Sequence, residues 1–408
     1  MIYQSYQLAA DSADPMRLFA DQAQSVLKKW MSGGDAWPLR RMTAYYEQIS
    51  VMGFSHTRPP FNIQPVKSRS GDLVDIDERI VTRTEFCQLM RFTRVHNDSG
   101  HPLPKVLLVA PMSGHFATLL RGTVQTLVQD HEVYLTDWVN IRDVPSESGC
   151  FDLDAYVQHI MDFLRYLGPK SHLMGVCQPT VACLAATALM SEDKDECVPA
   201  SLTLMAGPID TRINPTQVNE LAMSKPIDWF EHTLIGIVPL QFAGAGRRVY
   251  PGFLQLMAFM NMNLDRHRKS FGDLYDFRVS GDDEKADQIR DFYKEYFAIM
   301  DLSADFFLQT VDTVFQRQLL AKGELTYRGR PVRTEAIRRT FLLTVEGERD
   351  DICGIGQTLA AQDLCSRLPG FMKTHHLQAG VGHYGVFNGR KWAAQIYPVV
   401  RDLIQNAN

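Results

Sequence analysis

Three side chains in this sequence have the chemistry of a nucleophile, an acid and a base: Cys177, Asp350 and His383. A thiol becomes a strong nucleophile once it loses its proton, and a nearby imidazole can take that proton. A carboxylate can then hold the imidazole in the required tautomer. Each of the three residues comes shortly after an apolar stretch, and their order along the chain is nucleophile, acid, base. These features predict one reaction centre for acyl transfer.

Cys177 lies in the segment GVCQPT, residues 175–180, between an apolar strand pattern (residues 172–174) and a run of small residues typical of a helix. The pattern G-x-S-x-G is typical of a tight strand-to-helix turn that exposes a nucleophile. Here cysteine stands in place of the serine and Pro179 in place of the second glycine. The dipole at a helix start favours a thiolate. Proline is tolerated at such a position, so we interpret Cys177 as a working nucleophile.

The acid and the base have competitors. Asp351 directly follows Asp350, and Asp210 follows an earlier strand pattern, so both stay candidates, although the local sequence favours Asp350. His383 stands between glycines after the last strand pattern, which favours it over the other histidines, including His115. We interpret the cysteines other than the nucleophile as ordinary small buried side chains.

A tetrahedral intermediate of acyl transfer needs backbone N–H donors for its negative oxygen. The N–H of Gln178, next to the nucleophile, is the expected first donor. The loop after the strand pattern at residues 106–110 supplies the second donor, for which we favour Met112, with Ser113 as the alternative.

The elements that must position these residues alternate between strand and helix patterns. Strand patterns cover Val106–Ala110, Glu132–Thr136, Leu202–Ala206, Thr340–Val345 and Thr374–Leu377. This alternation predicts an α/β fold with a mostly parallel central sheet and helices on both faces. It stops between about residues 213 and 338, where helical patterns rich in methionine and aromatic residues predict an inserted helical cap.

We therefore predict three parts. Residues 1–95 form an N-terminal extension with helices and one or two edge strands that lead into the core. Residues 96–212 and 339–408 form the α/β core, and residues 213–338 form the cap, or lid.

The composition excludes several classes of function. A net charge of −5 gives no nucleic-acid-binding footprint. No segment has the roughly 18 consecutive apolar residues of a membrane span, and no secretion signal is present. The cysteine spacing fits neither a disulfide framework nor a zinc site. We therefore predict a cytoplasmic protein that binds no metal; its oligomeric state, including a homo-oligomer, stays open.

One further motif, Gly380–Gly385, fits G-x-G-x-x-G. A dinucleotide site needs a βαβ unit around this motif. The residues that follow have the pattern of a loop and one helix, so we expect no nicotinamide site and no other bound cofactor.

Four segments together resemble the intracellular polyhydroxybutyrate depolymerases: GVCQPT, VYLTDWVN, VEGERDDICGIGQT and AGVGHYGVFNGRKW. That family is similar to a branch of the α/β-hydrolases and is related to polyhydroxyalkanoate synthases, which also use cysteine. The resemblance spans nearly the whole chain and is most specific around Asp350 and His383. It implies an α/β-hydrolase fold, a triad of Cys177, Asp350 and His383, and attack on amorphous polyester at the surface of cytoplasmic granules.

An insoluble aliphatic polyester requires an apolar surface on the enzyme, and methionine-rich surfaces adapt to irregular apolar partners. The predicted cap contains many apolar side chains that could contact polymer or instead form the cap core. They are Trp229, Phe230, Phe242, Phe253, Met257, Phe259, Met260, Met262, Phe306 and Phe307.

The expected reaction is ester cleavage through a thioester on Cys177. The acyl acceptor is either water, which releases 3-hydroxybutyrate or its oligomers, or coenzyme A, which releases 3-hydroxybutyryl-CoA. The alternatives are a polyhydroxyalkanoate synthase-like acyltransferase, in which a glycine stands at the position of Pro179, and a generic intracellular esterase or thioesterase. A granule-associated scaffold without catalysis is an alternative of another class.

Overall fold

The structure is a computed structural model that describes residues 2–31, 37–67, 71–96, 102–262 and 264–407. Its centre is an eight-stranded sheet with the strand order β1-β2-β4-β3-β5-β6-β7-β8. These strands are β1 (Ile76–Arg83), β2 (Cys87–Arg94), β3 (Lys105–Val109), β4 (Glu132–Trp138), β5 (His172–Val176), β6 (Ser201–Met205), β7 (Phe341–Gly347) and β8 (Lys373–Gln378).

Strands β3 to β8 run parallel, and β2 is antiparallel to both of its neighbours. All residues of β5 and β6 are buried, which explains why these strands have continuous rather than alternating apolar patterns. Because the parallel strands share one direction, the loops after β3, β5, β7 and β8 all leave the sheet at the same edge. Those four loops carry Met112, Cys177, Asp350 and His383.

The helices surround this sheet, and α4 and α5 pack against each other and against its central strands. They are α1 (Ile2–Met31), α2 (Trp37–Val51), α3 (Arg121–Leu127), α4 (Leu153–Leu167), α5 (Thr180–Glu192), α6 (Gln217–Met223), α7 (Ile227–Leu234), α8 (Gly252–Met262), α9 (Leu264–Ser280), α10 (Asp283–Tyr296), α11 (Ala304–Thr310), α12 (Leu319–Lys322), α13 (Ala360–Leu364), α14 (Gly389–Lys391) and α15 (Tyr397–Ala407). In the described part of the chain, none combines the length and hydropathy that a bilayer span needs.

Short helical turns complete the helical content. The 3₁₀ turns are Ala117–Leu120, Ile141–Asp143, Ser146–Ser148, Thr334–Ala336, Gly370–Met372 and His383–Val386, and the π turns are Val311–Gln316 and Trp392–Ile396. Helix α4 illustrates how the local sequence sets the ends of a helix. Asp152 caps its start by accepting the N–H of Ala155 at 2.8 Å, and Gly168 ends it with a positive φ.

The segment between β6 and β7, which the sequence predicts as a helical cap, contains α6 to α12. It is mostly helical, but it also contains strand pairs that the sequence did not predict. Gly236–Ile237, Arg248–Tyr250 and Leu302–Ser303 form a three-stranded antiparallel sheet, and Thr326–Tyr327 pairs with Arg330–Pro331. A further pair outside the cap joins Val66–Lys67 to Leu73–Val74.

The central sheet starts earlier than the predicted core. Both β1 and β2 precede residue 96, yet β2 pairs with β4 along most of its length, so the predicted core boundary at residue 96 does not coincide with the start of the sheet. The pairing joins strands about 45 residues apart in the chain, and a local pattern does not specify a distant partner. The boundary itself adjoins residues 97–101, which lie outside the described residues.

A buried ion pair joins the N-terminal helices to the cap. Glu47 on α2 is fully buried and accepts two hydrogen bonds from the guanidinium of Arg278 on α9, at 2.7 and 2.8 Å. Arg278 also binds Asp283 and Asp287, so its charge is shared among three carboxylates. Removing Glu47 would leave the buried guanidinium of Arg278 with only the half-exposed Asp283 and Asp287 as partners, which is costly.

Replacing Glu47 by alanine should therefore lower the free energy of unfolding by about 3 kcal/mol, measured by urea denaturation. Lys269→Ala on the same helix α9 is the matched control, because it removes an exposed ion pair with Asp273 and should cost less than about 1 kcal/mol. Equal losses in the two variants would contradict a structural role for the buried pair.

Candidate active site

Cys177 lies on a strained turn between β5 and α5. Its φ of +67° is in the left-handed region that residues other than glycine rarely adopt. Hydrogen bonds hold this conformation: Cys177 N–H donates to Met205 O at 2.7 Å, and the Thr180 N–H and hydroxyl donate to Cys177 O at 3.2 and 2.9 Å. A non-glycine residue held in this region is typical of functional sites.

Two glycines allow α5 to approach the sheet. A Cβ added to Gly175 would lie 2.9 Å from the sulfur of Cys183, and one added to Gly207 would lie 1.9 Å from the Thr180 hydroxyl oxygen. Pro179 precedes α5 with a φ of −68°, which its ring adopts without strain. The proline therefore does not disturb the turn, as the sequence predicts.

The base and the acid form a closely paired unit. His383 Nδ1 lies 3.0 and 2.8 Å from the two carboxylate oxygens of Asp350, and both side chains are almost fully buried. Asp350 also accepts the backbone N–H groups of Ile352 and Cys353 at 2.9 and 2.8 Å. These bonds fix the carboxylate and, through it, the orientation of the imidazole.

Cys177 also interacts with the side chain of His383. Burial alone would lower the pKa of His383, but the charges of Asp350 and Cys177, and hydrogen bonds to both side chains, raise that pKa well above its ordinary value. These interactions favour the protonated form of the imidazole. The structure thus brings together the three residues that the sequence singles out.

The competing candidates lie elsewhere. Asp351 is exposed, whereas Asp350 is the carboxylate that contacts His383. Asp210 forms a two-point ion pair with Arg212, whose hydrogen bonds lower its pKa. His115 stacks among aromatic rings, and burial lowers its pKa to about 4.

One of the two expected oxyanion donors, the N–H of Met112, is already hydrogen-bonded to a side chain. The N–H of Met112 donates to Oε1 of the Gln178 side chain at 3.3 Å. The amide oxygen of Gln178 thus accepts the N–H group that the sequence analysis predicts as an oxyanion donor. Sequence reasoning identified the backbone of Gln178 but missed this role of its side chain, because no local pattern reports a contact between residues 66 positions apart.

Glu346, on β7, is a second contributor that the sequence reasoning missed. Its buried carboxylate accepts the N–H groups of Gly356, Thr358 and Leu359 at 2.8, 2.7 and 3.0 Å. These bonds hold the loop after Asp350, which leads into the short α13 at Ala360–Leu364. The sequence feature that could have indicated this role is a glutamate at a strand end, before a glycine-rich loop.

Cys177 opens on a cavity of about 240 Å³ between the sheet and the cap. Met112, Ser113, Gln178, Ile352 and Cys353 line the core side. The cap side is almost entirely apolar and includes Val218, Leu221, Phe230, Leu234, Tyr250, Ala258, Phe259, Met262, Leu302, Phe306, Phe307, Val311 and Phe315. Such a lining suits an aliphatic chain with few polar groups.

Half of the cap residues predicted to meet the polymer line this cavity: Phe230, Phe259, Met262, Phe306 and Phe307. The remaining five do not. Trp229 and Met257 are partly exposed, Phe253 stacks on Tyr6, Phe242 lies under Arg142, and Met260 packs in a separate apolar cluster. Among the described residues, no group of three or more His, Cys, Asp or Glu side chains is arranged to hold a metal.

The strand order, the turn at Cys177 and the loops that carry Asp350 and His383 define an α/β-hydrolase fold. A family model described as PHB de-polymerase C-terminus matches residues 206–408, just under half of the chain. This match confirms the resemblance to PHB depolymerases that the motifs predict. No curated protein matches the chain.

Several solved structures are similar in fold. DcsB in complex with its substrate analogue has 12% identity and a TM-score of 0.47, over 82% of this chain and 100% of that chain. The meta-cleavage product hydrolase CumD from Pseudomonas fluorescens IP01 has 17% identity and a TM-score of 0.43, over 79% and 96%. A thermophilic esterase from Thermogutta terrifontis has 12% identity and a TM-score of 0.41, over 82% and 99%.

The raised pKa of His383 leads to a first prediction for the site. Cys177→Ala removes one of the charges that raise this pKa, so the histidine should titrate at lower pH in an NMR titration of its imidazole. Asp350→Asn should lower this pKa as well, whereas Cys150→Ala, at an exposed cysteine, should not.

The pairing of His383 with Asp350 should stabilise the fold fully below the unfolded-state pKa of about 6.5, and this contribution is lost as pH rises through the folded-state pKa. An unchanged His383 titration in Cys177→Ala would show that the two side chains do not interact.

The contact between Gln178 and Met112 leads to a second prediction. Gln178→Ala removes the amide oxygen that competes for the Met112 N–H, so KM for a short soluble ester should fall by about two- to tenfold. Gln178→Leu keeps the bulk without the acceptor and should act in the same direction. A higher KM in both variants would instead mean that the amide binds substrate.

Proposed function

We propose that this chain is a depolymerase that cleaves the ester bonds of polyhydroxybutyrate through a cysteine acyl-enzyme. The single observation that carries the proposal is the family match, because the matched region contains both Asp350 and His383. The arrangement of Cys177 beside this pair, facing an apolar cavity, supports the same chemistry.

In the first half of the reaction, the Cys177 thiolate attacks the ester carbonyl carbon and a C–S bond forms. The carbonyl oxygen becomes negative and accepts hydrogen bonds from the N–H groups of Gln178 and Met112, once the Gln178 amide has moved aside. His383 then gives its proton to the departing alkoxide as the C–O bond breaks. This step leaves a thioester on Cys177 and a neutral imidazole.

In the second half, the neutral His383 takes a proton from the acyl acceptor, which attacks the thioester carbonyl. Water as acceptor gives a free carboxylic acid, and the thiol of coenzyme A gives an acyl-CoA. In either case the C–S bond breaks and Cys177 leaves as a thiolate. Asp350 stabilises the imidazolium in both halves and keeps its orientation.

The proposed location is the surface of polyhydroxyalkanoate granules in the cytoplasm. An amorphous aliphatic polyester offers ester groups within an apolar phase, and the cavity next to Cys177 has a matching apolar lining. Coenzyme A enters this proposal only as an acyl acceptor, not as a resident cofactor.

The decisive experiment compares product release from native amorphous granules by the wild type and by Cys177→Ala. We expect the wild type to release hydroxybutyrate products, and the variant to lose activity by at least about 10³-fold. Cys150→Ala removes an exposed cysteine outside the site and should keep full activity. Equal release by wild type and Cys177→Ala would reject the cysteine mechanism, and the absence of release by all three proteins would favour the scaffold alternative.

The same assay with and without coenzyme A identifies the acceptor. Mass spectrometry of the soluble products should show either free hydroxy acids only or a 3-hydroxybutyryl-CoA adduct. Incubation with hydroxyacyl-CoA in the absence of granules tests the synthase alternative, since polymer formation would point to the building direction.

A further inference from the structure

Helix α1 presents a row of exposed large apolar side chains to solvent. Five large apolar side chains lie on it, and their exposed fractions are 69% for Leu8, 59% for Met16, 62% for Phe19, 47% for Val26 and 67% for Trp30. We call these five residues the α1 stripe. Contiguous exposed apolar surface of this kind marks an interaction site in most soluble proteins.

The spacing of the stripe shows that it is one continuous feature. At 100° per residue, positions 5, 8, 12, 15, 16, 19, 23, 26 and 30 share one face of α1, and none of them carries a charge. With a rise of 1.5 Å per residue, the face from position 5 to position 30 is about 38 Å long.

Folding does not use this face of the helix. The buried residues of α1 are Tyr3, Ala20, Gln24 and Leu27, which lie on the adjoining side of the helix. Since a surface helix needs only one apolar face to dock on its own protein, the second face is available for a partner.

The apolar surface continues onto α2. The ring of Phe19 packs edge-on against Tyr46 with centroids 6.0 Å apart, and Tyr46 in turn contacts Tyr45, which is 58% exposed. The two helices therefore form one extended apolar surface rather than a single row of side chains.

Another side of α1 contacts α8, a helix that also lines the cavity at Cys177. Near the start of α1, Tyr6 stacks on Phe253 of α8 with ring centroids 3.9 Å apart. Other side chains of α8, including Ala258, Phe259 and Met262, line the cavity at Cys177. One helix thus contacts both α1 and the cavity.

We propose that the α1 stripe docks the protein on the surface of an amorphous aliphatic polyester. This inference rests on the proposed function. An uncharged apolar solid matches a face without charges. Helices that bind anionic lipid surfaces carry many lysines and arginines on their polar face, whereas the charged residues of α1 (Asp11, Asp14, Asp21, Arg17, Lys28 and Lys29) balance to zero.

The test uses the full chain with Phe19, Val26 and Trp30 all changed to glutamine. The matched control changes three equally exposed apolar residues outside α1 to glutamine: Leu73, Val95 and Phe371. Partition onto native amorphous polyhydroxybutyrate granules is measured by sedimentation in a Cys177→Ala background, so that the granules stay intact. Two further measurements use proteins that retain Cys177. They are the turnover of a short soluble ester and the oligomeric state, the latter by analytical ultracentrifugation.

We expect the stripe variant to lose partition by more than about tenfold, with ester turnover unchanged, and the control variant to bind like the wild type. Equal partition of both variants would overturn the docking proposal. So would a stripe variant that dissociates a wild-type dimer without changing partition, or a wild type that prefers phosphatidylcholine–phosphatidylglycerol vesicles to granules. A wild type that binds granules through the stripe but releases no product would refute the proposed function and leave the docking proposal standing.

Discussion

The candidate site depends on the left-handed backbone of Cys177. A φ of +67° directs the side chain away from the sheet while the chain turns from β5 into α5. This conformation is costly for cysteine, by about 1–3 kcal/mol, so it persists only because its surroundings hold it. Thr180 binds the Cys177 carbonyl oxygen, and Thr180 itself fits only because residue 207 is glycine. The position of the thiol is therefore set by packing on two strands, not by the turn alone.

The acid loop is stabilised in a related way, by carboxylates that collect backbone N–H groups. Asp350 accepts two such groups from the residues that follow it, and Glu346 accepts three from the next turn of the loop. A loop without secondary structure would otherwise leave these donors unpaired in a buried region, which is unfavourable. The same hydrogen bonds that satisfy the backbone also fix the carboxylate that orients His383.

Sequence reasoning predicted the strands and the candidate site residues, and it missed contacts between residues far apart in the chain. The strand patterns for β3 to β8 lie within two residues of the observed strands at most ends, because buried parallel strands have strong continuous apolar patterns. The order of Cys177, Asp350 and His383 identified residues that the structure brings together. The pairing of β2 with β4, the contact of Gln178 with Met112 and the ion pair of Glu47 with Arg278 all join residues far apart in the chain. Local patterns do not specify such partners.

The charge state of His383 has consequences for the choice of nucleophile. A serine would be neutral in the resting enzyme, and the imidazole would first have to take its proton. In the proposed mechanism, the raised pKa of His383 favours the protonated imidazole, which can donate the proton that the alkoxide leaving group needs. The apolar cavity strengthens this effect, because charges interact more strongly where water is excluded. Cysteine is therefore consistent with the geometry of this site, in which a buried Asp350–His383 pair favours the charged form of the imidazole before any substrate binds.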